Sequence, residues 1–159
     1  MGLFLGTWFE PSFIGILRGA NKAGMPAVQM SSSSLDSLPS DAVEELASSC
    51  KSPIVSPLVV TGRSGVRHSF TLGVKDSVSV VMACDTVVGS APSDETKVLA
   101  LFIKVYDVNV KHVILCAIPS LTAEAKKLAA QYKMVVLEAL DKKTVLAKLS
   151  DYLRTLPKD

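Results

Sequence analysis

Three acidic or imidazole side chains in this sequence could meet at one metal ion. Glu45 follows Glu44 in a stretch with helical spacing, His68 begins a strand-like stretch, and Asp85 lies in a long apolar run. A histidine with two carboxylates is a ligand set that suits Mn²⁺ or Zn²⁺. We therefore treat Glu45, His68 and Asp85 as candidate metal-binding and catalytic residues. The competing interpretation is that His68 and Asp85 are ordinary solvated residues at strand ends.

Basic residues in the same part of the chain could contact phosphates. Arg63 and Arg67 flank a glycine-containing turn, and Lys75 follows a strand-like stretch. With His68 they could form a basic rim that binds nucleic acid, whereas the alternative is a solvated strand edge. The formal net charge of +2 describes a weakly basic surface and does not by itself indicate nucleic-acid binding.

Cysteine and serine chemistry is not expected. The three cysteines, Cys50, Cys84 and Cys116, form no CxxC pair, which favours reduced thiols in a cytoplasmic protein. Two of them lie in apolar runs, where a thiol behaves as a small buried hydrophobe. Ser93 and Ser120 each precede a helical pattern and are predicted to be helix caps rather than nucleophiles.

Hydrophobic periodicity predicts the elements that position these residues. A helix over 40–49 precedes three strands, of which the first carries prolines and suits a sheet edge, while the third is nearly all apolar and suits the centre. Helices and strands then alternate, as in β-α-β crossovers that feed a parallel sheet. We therefore predict a mixed sheet flanked by helices. The predicted strands are 54–60, 69–74, 78–88, 112–118 and 134–137, and the later helices are 93–106, 122–132 and 142–153.

The N-terminal stretch differs in composition from the rest of the chain. Residues 1–30 hold the only tryptophan and three of the five phenylalanines, and the serines of 31–34 suggest a link to an α/β domain over 35–159. No basic residue precedes the apolar start, and Glu10 with Pro11 interrupts it, so no membrane span or signal peptide is expected. The stretch is predicted to be a packed extension or a homodimer contact.

Three segments resemble the PD-(D/E)XK nucleases, in the branch of Mrr-like restriction enzymes and small archaeal proteins of the same fold. Thr61 to His68 is similar to the turn before the catalytic strand, and Val78 to Asp85 is similar to the next strand. Ile114 to Ala129, followed by Met134 to Leu137, is similar to the late strand, helix and strand. The resemblance implies a restriction-endonuclease-like three-layer α/β fold with a mixed central sheet. A flavodoxin-like fold is the alternative, because the second half alone fits either.

The resemblance also implies a site that this sequence fills incompletely. Active relatives hydrolyse phosphodiesters with divalent metal ions, Mg²⁺ or Mn²⁺, held by an Asp on the second strand and an acid on the third, with a Lys two residues beyond that acid. Here the second strand reads His68 to Thr71 without a carboxylate. Ala83 takes the acid position and Asp85 the lysine position.

Three functions follow as hypotheses. The first is a non-catalytic nuclease-like protein that acts by binding DNA, other nucleic acid or protein. The second is a metal-dependent DNA endonuclease whose acidic and histidine ligands have moved to Glu45, His68 and Asp85. The third is a structural subunit of a homo-oligomer. A single fold hosts many functions, so the choice among them depends on the geometry of the site.

Overall fold

The computed structural model is described for residues 40–49 and 53–156, which form four helices and seven strands. The predicted elements are confirmed to within two residues at each end. The helices are α1 (Ser40–Ser49), α2 (Glu95–Val108), α3 (Ala123–Gln131) and α4 (Lys142–Thr155). The strands are β1 (Ile54–Val55), β2 (Leu58–Thr61), β3 (Arg67–Phe70), β4 (Leu72–Lys75), β5 (Val80–Val88), β6 (His112–Ile118) and β7 (Val135–Glu138).

Five of these strands form a mixed sheet in the order β1-β4-β5-β6-β7. The pairs β1–β4 and β4–β5 are antiparallel, whereas β5–β6 and β6–β7 are parallel because a helix connects each parallel pair. The apolar strand β5 lies in the middle and the proline-flanked strand β1 lies at one edge. Both placements were predicted from the sequence.

The first two predicted strands are each broken in two, which the sequence did not predict. Ser56 and Pro57 separate β1 from β2, and Thr71 separates β3 from β4. Beyond these breaks β2 and β3 leave the main sheet and pair with each other, with Thr61 opposite Arg67. We call this two-stranded sheet and its turn, residues 58–70, the hairpin.

The sheet has a helical layer on each face. Leu101 of α2 and Ala125 of α3 share one buried cluster with Ala83 of β5, and the hairpin residues Leu58 and Phe70 join it. The second cluster lies on the other face, because neighbouring side chains on a strand point to opposite sides. It contains residues of α1, α4 and alternate positions of β5: Leu46, Val145, Leu149, Met82 and Cys84.

The helix caps differ from the prediction by one or two residues. Asp94 accepts from the backbone N–H of Thr96 at the start of α2, and Thr122 accepts from the N–H of Ala125 at the start of α3. Ser93 and Ser120, which were predicted to be the caps, instead join the two preceding loops, since Ser93 N–H donates to the Ser120 carbonyl. The carboxylate and the threonine hydroxyl lie one or two residues closer to the first helical turn.

Two cysteines are fully buried as free thiols, as predicted. Cys84 of β5 and Cys116 of β6 lie with their Sγ atoms 3.6 Å apart. The hydrogen bond between them and their burial raise the pKa of the Cys84 thiol. Cys50 and the N-terminal predictions for 1–34, including the homodimer contact through 1–30, lie outside the described residues. None of the described helices is both long and apolar enough to span a membrane.

Candidate functional site

Asp85 occupies the position where the hairpin leaves the main sheet. Its Oδ1 atom accepts from the backbone N–H of Thr71 at 3.0 Å, and its Oδ2 atom accepts from Lys104 Nζ of α2 at 2.8 Å. Lys104 also donates to the carbonyl of Ser69. We call Thr71, Asp85 and Lys104 the base cluster, because they fasten the base of the hairpin to β5 and α2.

The backbone explains why polar groups meet there. Where β3 gives way to β4, the N–H of Thr71 has no strand partner, and Asp85 accepts from it. The N–H of Thr86 likewise donates to the Thr71 hydroxyl at 3.0 Å. Ser56, at the break in the neighbouring strand, donates its hydroxyl to the Thr71 carbonyl. The base cluster therefore satisfies backbone groups that the bend releases.

A second carboxylate holds the other end of the hairpin. Asp107, near the end of α2, accepts at Oδ1 from the backbone N–H of Ser64, and at Oδ2 from the Ser64 hydroxyl at 2.6 Å and His68 Nε2 at 2.7 Å. Arg63 donates to the Tyr106 carbonyl at 2.6 Å. Gly62 lies so close to Asp107 that a Cβ there would be 1.9 Å from its Oδ2. We call Ser64, His68 and Asp107 the tip cluster.

The tip cluster is electrostatically asymmetric. Hydrogen bonds from the Ser64 hydroxyl, from His68 and from the Ser64 backbone N–H lower the pKa of Asp107 to about 2. The carboxylate is therefore ionised at neutral pH and only accepts, which makes His68 Nε2 the donor of their shared hydrogen bond. An acid in the last turn of a helix is unfavourable toward the helix dipole, so these donors also compensate for the position of Asp107.

The tip cluster does not form a nucleophilic triad, although it contains a serine, a histidine and an aspartate. In a triad the histidine lies between the other two and takes the proton of the serine. Here Asp107 lies in the middle, because both Ser64 and His68 direct their hydrogen bonds to it. A serine hydroxyl bonded to a carboxylate rather than to an imidazole base is not activated for acyl transfer.

The metal site predicted from Glu45, His68 and Asp85 is not formed. Glu45 lies on α1, which packs on the face of the sheet opposite to Asp85, and His68 bonds to Asp107 instead. The described residues contain no group of three or more His, Cys, Asp or Glu side chains arranged to hold a metal ion. The base cluster does not fit Mg²⁺ or Mn²⁺ either, since Lys104 and Thr71 engage both Asp85 oxygens.

The predicted basic rim is only partly assembled. Arg67 begins β3, where it pairs with Thr61, and Arg63 lies two residues after Thr61. Both arginines therefore belong to the tip of the hairpin. Both are exposed, and the Arg63 guanidinium lies 5.4 Å from the centroid of the Tyr106 ring. Lys75 ends β4, which belongs to the main sheet and not to the hairpin.

Sequence reasoning missed Lys104 and Asp107. Both lie on α2, on the flank of its buried face, which Val98, Leu101 and Val105 form. A signal was present for Asp107, because an acid in the last helical turn opposes the dipole and needs a compensating donor. Lys104 carried no comparable signal. The missed residues supply the helix side of both clusters.

Comparisons with known proteins found a similarity in fold to a solved structure. No protein-family model and no curated protein matches the sequence. Among solved structures the chain is similar to AF1548, whose structure is described as that of a protein of unknown function, with a TM-score of 0.50 and 11% identity. The match covers 67% of this chain and 65% of that one, so this chain spans less than two thirds of AF1548. The similarity concerns the α/β fold alone.

Proposed function

We propose that the described domain is a restriction-endonuclease-like module that has lost catalysis and binds nucleic acid through its hairpin. Two features support this fold over the flavodoxin-like alternative. The strands of the main sheet follow one another in chain order, and β4 is antiparallel to both neighbours. A flavodoxin-like sheet is parallel and has the strand order 2-1-3-4-5.

The state of Asp85 carries the non-catalytic part of the proposal. Asp85 lies on the third strand of the resemblance, and Thr71 faces it from the second strand, where a metal-binding acid is expected. Ala83, the position first matched to the acid, is fully buried in the core. A lone carboxylate already paired with an ammonium group is a poor ligand for a hard cation.

The proposal that the domain binds nucleic acid rests on the exposed arginines of the hairpin tip. Arg63 is held by the carbonyls of Tyr106 and Asp107 and still presents further N–H donors, because a guanidinium has five. Arg67 projects from the adjoining strand. Two exposed arginines on a two-stranded element, one of them held in place by backbone carbonyls, suit contacts with phosphates, which contribute affinity without reading sequence.

Cleavage assays test the loss of catalysis. The wild-type chain and Asp85→Ala are incubated with duplex and single-stranded DNA in Mg²⁺ or Mn²⁺, and no cleavage is expected from either protein. Metal-dependent cleavage by the wild type that disappears in Asp85→Ala would instead support the endonuclease hypothesis. Asp151→Ala, which changes an exposed carboxylate on α4, is the matched control for nonspecific effects of charge.

Binding to labelled oligonucleotides at several salt concentrations tests the hairpin. Arg67→Ala is expected to weaken binding and to reduce the slope of log K against log salt by about 1, the value for one lost phosphate contact. Arg63→Ala should act similarly, whereas Lys75→Ala, which removes an equal charge from the main sheet, should have little effect. Equal losses for all three variants would indicate a response to net charge and contradict a site at the hairpin.

A further inference from the structure

The outward face of α2 is unusually apolar for an exposed helix. Leu99, Ile103 and Tyr106 are 40%, 63% and 67% exposed, and their spacing of four and three residues places them in one stripe. The exposed residues Thr96 and Ala100 extend the same face. A helix on the surface of a globular domain normally carries charged side chains on its outer face. We call Thr96, Leu99, Ala100, Ile103 and Tyr106 the α2 stripe.

The charged residues in the second half of α2 point toward the hairpin. Lys104 bonds to Asp85 and the Ser69 carbonyl, and Asp107 bonds to Ser64 and His68. The two fastening clusters therefore use the charges of the second half of α2, whereas Lys97 in its first half is exposed and flanks the stripe beside Thr96. None of the five residues of the α2 stripe is itself charged.

The α2 stripe differs from the two most exposed large hydrophobic residues of the described part. Val78 and Leu140 are 92% and 86% exposed, but each lies by itself in a turn or loop. Single exposed hydrophobic residues are common on protein surfaces, whereas a contiguous row marks an interaction surface. Ala100 leaves a shallow position beside the larger Ile103, and such alternation of small and large side chains lets a second helix approach closely.

We propose that the α2 stripe binds a second copy of this chain, with the two α2 helices antiparallel across a twofold axis near Ile103. In this arrangement Leu99 of one copy faces Tyr106 of the other. Measured along the helix at a rise of about 1.5 Å per residue, each of the two residues lies about 5 Å from the twofold axis, on opposite sides of it. A twofold interface uses the same patch on both copies, so its two ends must be complementary.

The ends of the α2 stripe meet that requirement. Arg63 packs over Tyr106 at the C-terminal end, and Glu95 lies in the first turn at the N-terminal end. Antiparallel pairing brings Arg63 of each copy toward Glu95 of the other, and it also opposes the two helix dipoles favourably. Parallel pairing would place the two Arg63 side chains beside each other. The charges of Arg63 and Glu95 thus favour the antiparallel over the parallel pairing of two copies.

Sedimentation equilibrium of the full chain over a range of protein concentrations tests the dimer. The wild type is expected to dimerise, and Ile103→Glu to weaken the dimer at least about 30-fold, as for a central interface residue. Leu140→Glu places the same charge on another exposed apolar residue and should leave the dimer unchanged. Circular dichroism confirms that both variants fold. A monomeric wild type, or an Ile103→Glu variant as dimeric as the wild type, overturns the proposal.

Charge reversal tests the orientation of the two copies. Arg63→Glu and Glu95→Arg should each weaken the dimer. The double variant should dimerise more tightly than Arg63→Glu alone, because the two have lost the same Arg63 contacts with α2 and only the double variant regains opposite charges across the interface. A double variant that dimerises no more tightly than Arg63→Glu overturns the antiparallel pairing. A monomeric wild type that binds single-stranded oligonucleotides, with binding lost in Tyr106→Ala and kept in Tyr106→Phe, would instead assign the α2 stripe to base stacking.

Discussion

Two aspartates, Asp85 and Asp107, fasten the same hairpin to the same helix in different ways. Asp85 lies at the base, where it shares its charge with Lys104 and satisfies a backbone N–H that the bend has released. Asp107 lies at the tip and accepts from a loop N–H, a hydroxyl and an imidazole. The base cluster satisfies backbone groups that lose their strand partners at a break in the main sheet, whereas the tip cluster stabilises a turn that the pairing of β2 with β3 already closes.

This difference predicts that the base tolerates change less well than the tip. At the base, the bonded groups belong to β5 and to the backbone at the bend, which cannot move without disturbing the main sheet. At the tip, the backbone carbonyl of Asp107 also accepts from Arg63 N–H, so part of the attachment survives loss of the carboxylate.

Gly73→Ala should have the largest effect. A Cβ at this position in β4 would lie 2.3 Å from Leu58 Cδ2 and 2.7 Å from the carbonyl oxygen of Met82 in β5. Because the carbonyl belongs to the central strand and cannot yield, we expect a loss above about 3 kcal/mol in the free energy of unfolding. Urea denaturation measures it. Gly65→Ala at the tip is the control.

Gly65 has a positive φ of 85°, and a Cβ there would meet nothing within 4 Å. Its replacement should therefore cost only about 1 kcal/mol of backbone strain. Equal losses for Gly73→Ala and Gly65→Ala would contradict the distinction between the base and the tip.

Asp85→Ala should have the next largest effect. The substitution leaves the Thr71 N–H without its acceptor and Lys104 with an uncompensated charge, at side-chain exposures of 18% for Asp85 and 32% for Lys104. We expect a loss of about 2–3 kcal/mol. Lys104→Ala should cost less, because Asp85 keeps the Thr71 donor. The double variant, measured in the same denaturation assay, should cost less than the sum of the two single losses. Strict additivity would show that the pair contributes no coupling.

The contrast between local and distant contacts explains what the sequence could predict. The helices and the later strands follow from periodicity within each segment, so their bounds and the central place of β5 were predictable, whereas the breaks within the first two predicted strands were not. The partners of Asp85 lie 14 and 19 positions away, and those of Asp107 lie 39 and 43 positions away. Such pairs depend on how the hairpin folds over α2. No local pattern in the sequence encodes that arrangement.

The bend itself explains the error in the predicted site. The first two predicted strands were each expected to be unbroken. An unbroken pair would keep Arg67 and Lys75 in one sheet, and it would also bring His68 alongside β5. The breaks at Pro57 and Thr71 carry His68 to Asp107 instead. Glu45 does not take part in a site with Asp85 for a simpler reason, because α1 packs on the opposite face of the sheet from Asp85. The alternation of side chains along β5 shows which residues share a face of the sheet, but it does not show which helices cover that face.

Gly62→Ala should destabilise the tip by displacing a carboxylate rather than by straining the backbone. The added Cβ would occupy the position of the Asp107 carboxylate, whose Oδ2 and Cγ would lie 1.9 and 2.4 Å away. Asp107 would have to abandon Ser64 and His68 to make room. We expect Gly62→Ala and Asp107→Ala to lower the denaturation midpoint by similar amounts, each smaller than the effect of Asp85→Ala.

The double variant of Gly62 and Asp107 provides the decisive comparison. Once the carboxylate is absent, the alanine at position 62 meets no obstacle from it, so the double variant should be no less stable than either single variant. Independent, additive losses would mean that the glycine serves the turn and not the close approach of Asp107.

Acid titration should produce the smallest effect and separate the two clusters by pH. The pKa of Asp107 is lowered from 3.8 to about 2 in the folded protein. A lowered folded-state pKa means that the stabilising contribution is complete above the unfolded value and disappears as the pH falls toward 2. The difference in stability between the wild type and Asp107→Asn should therefore shrink as the pH falls from about 4 to about 2. Denaturation of both proteins across that interval measures it, with Asp151→Asn as the exposed control. A difference that persists unchanged at pH 2 would show that Asp107 stabilises the tip through packing rather than through its charge.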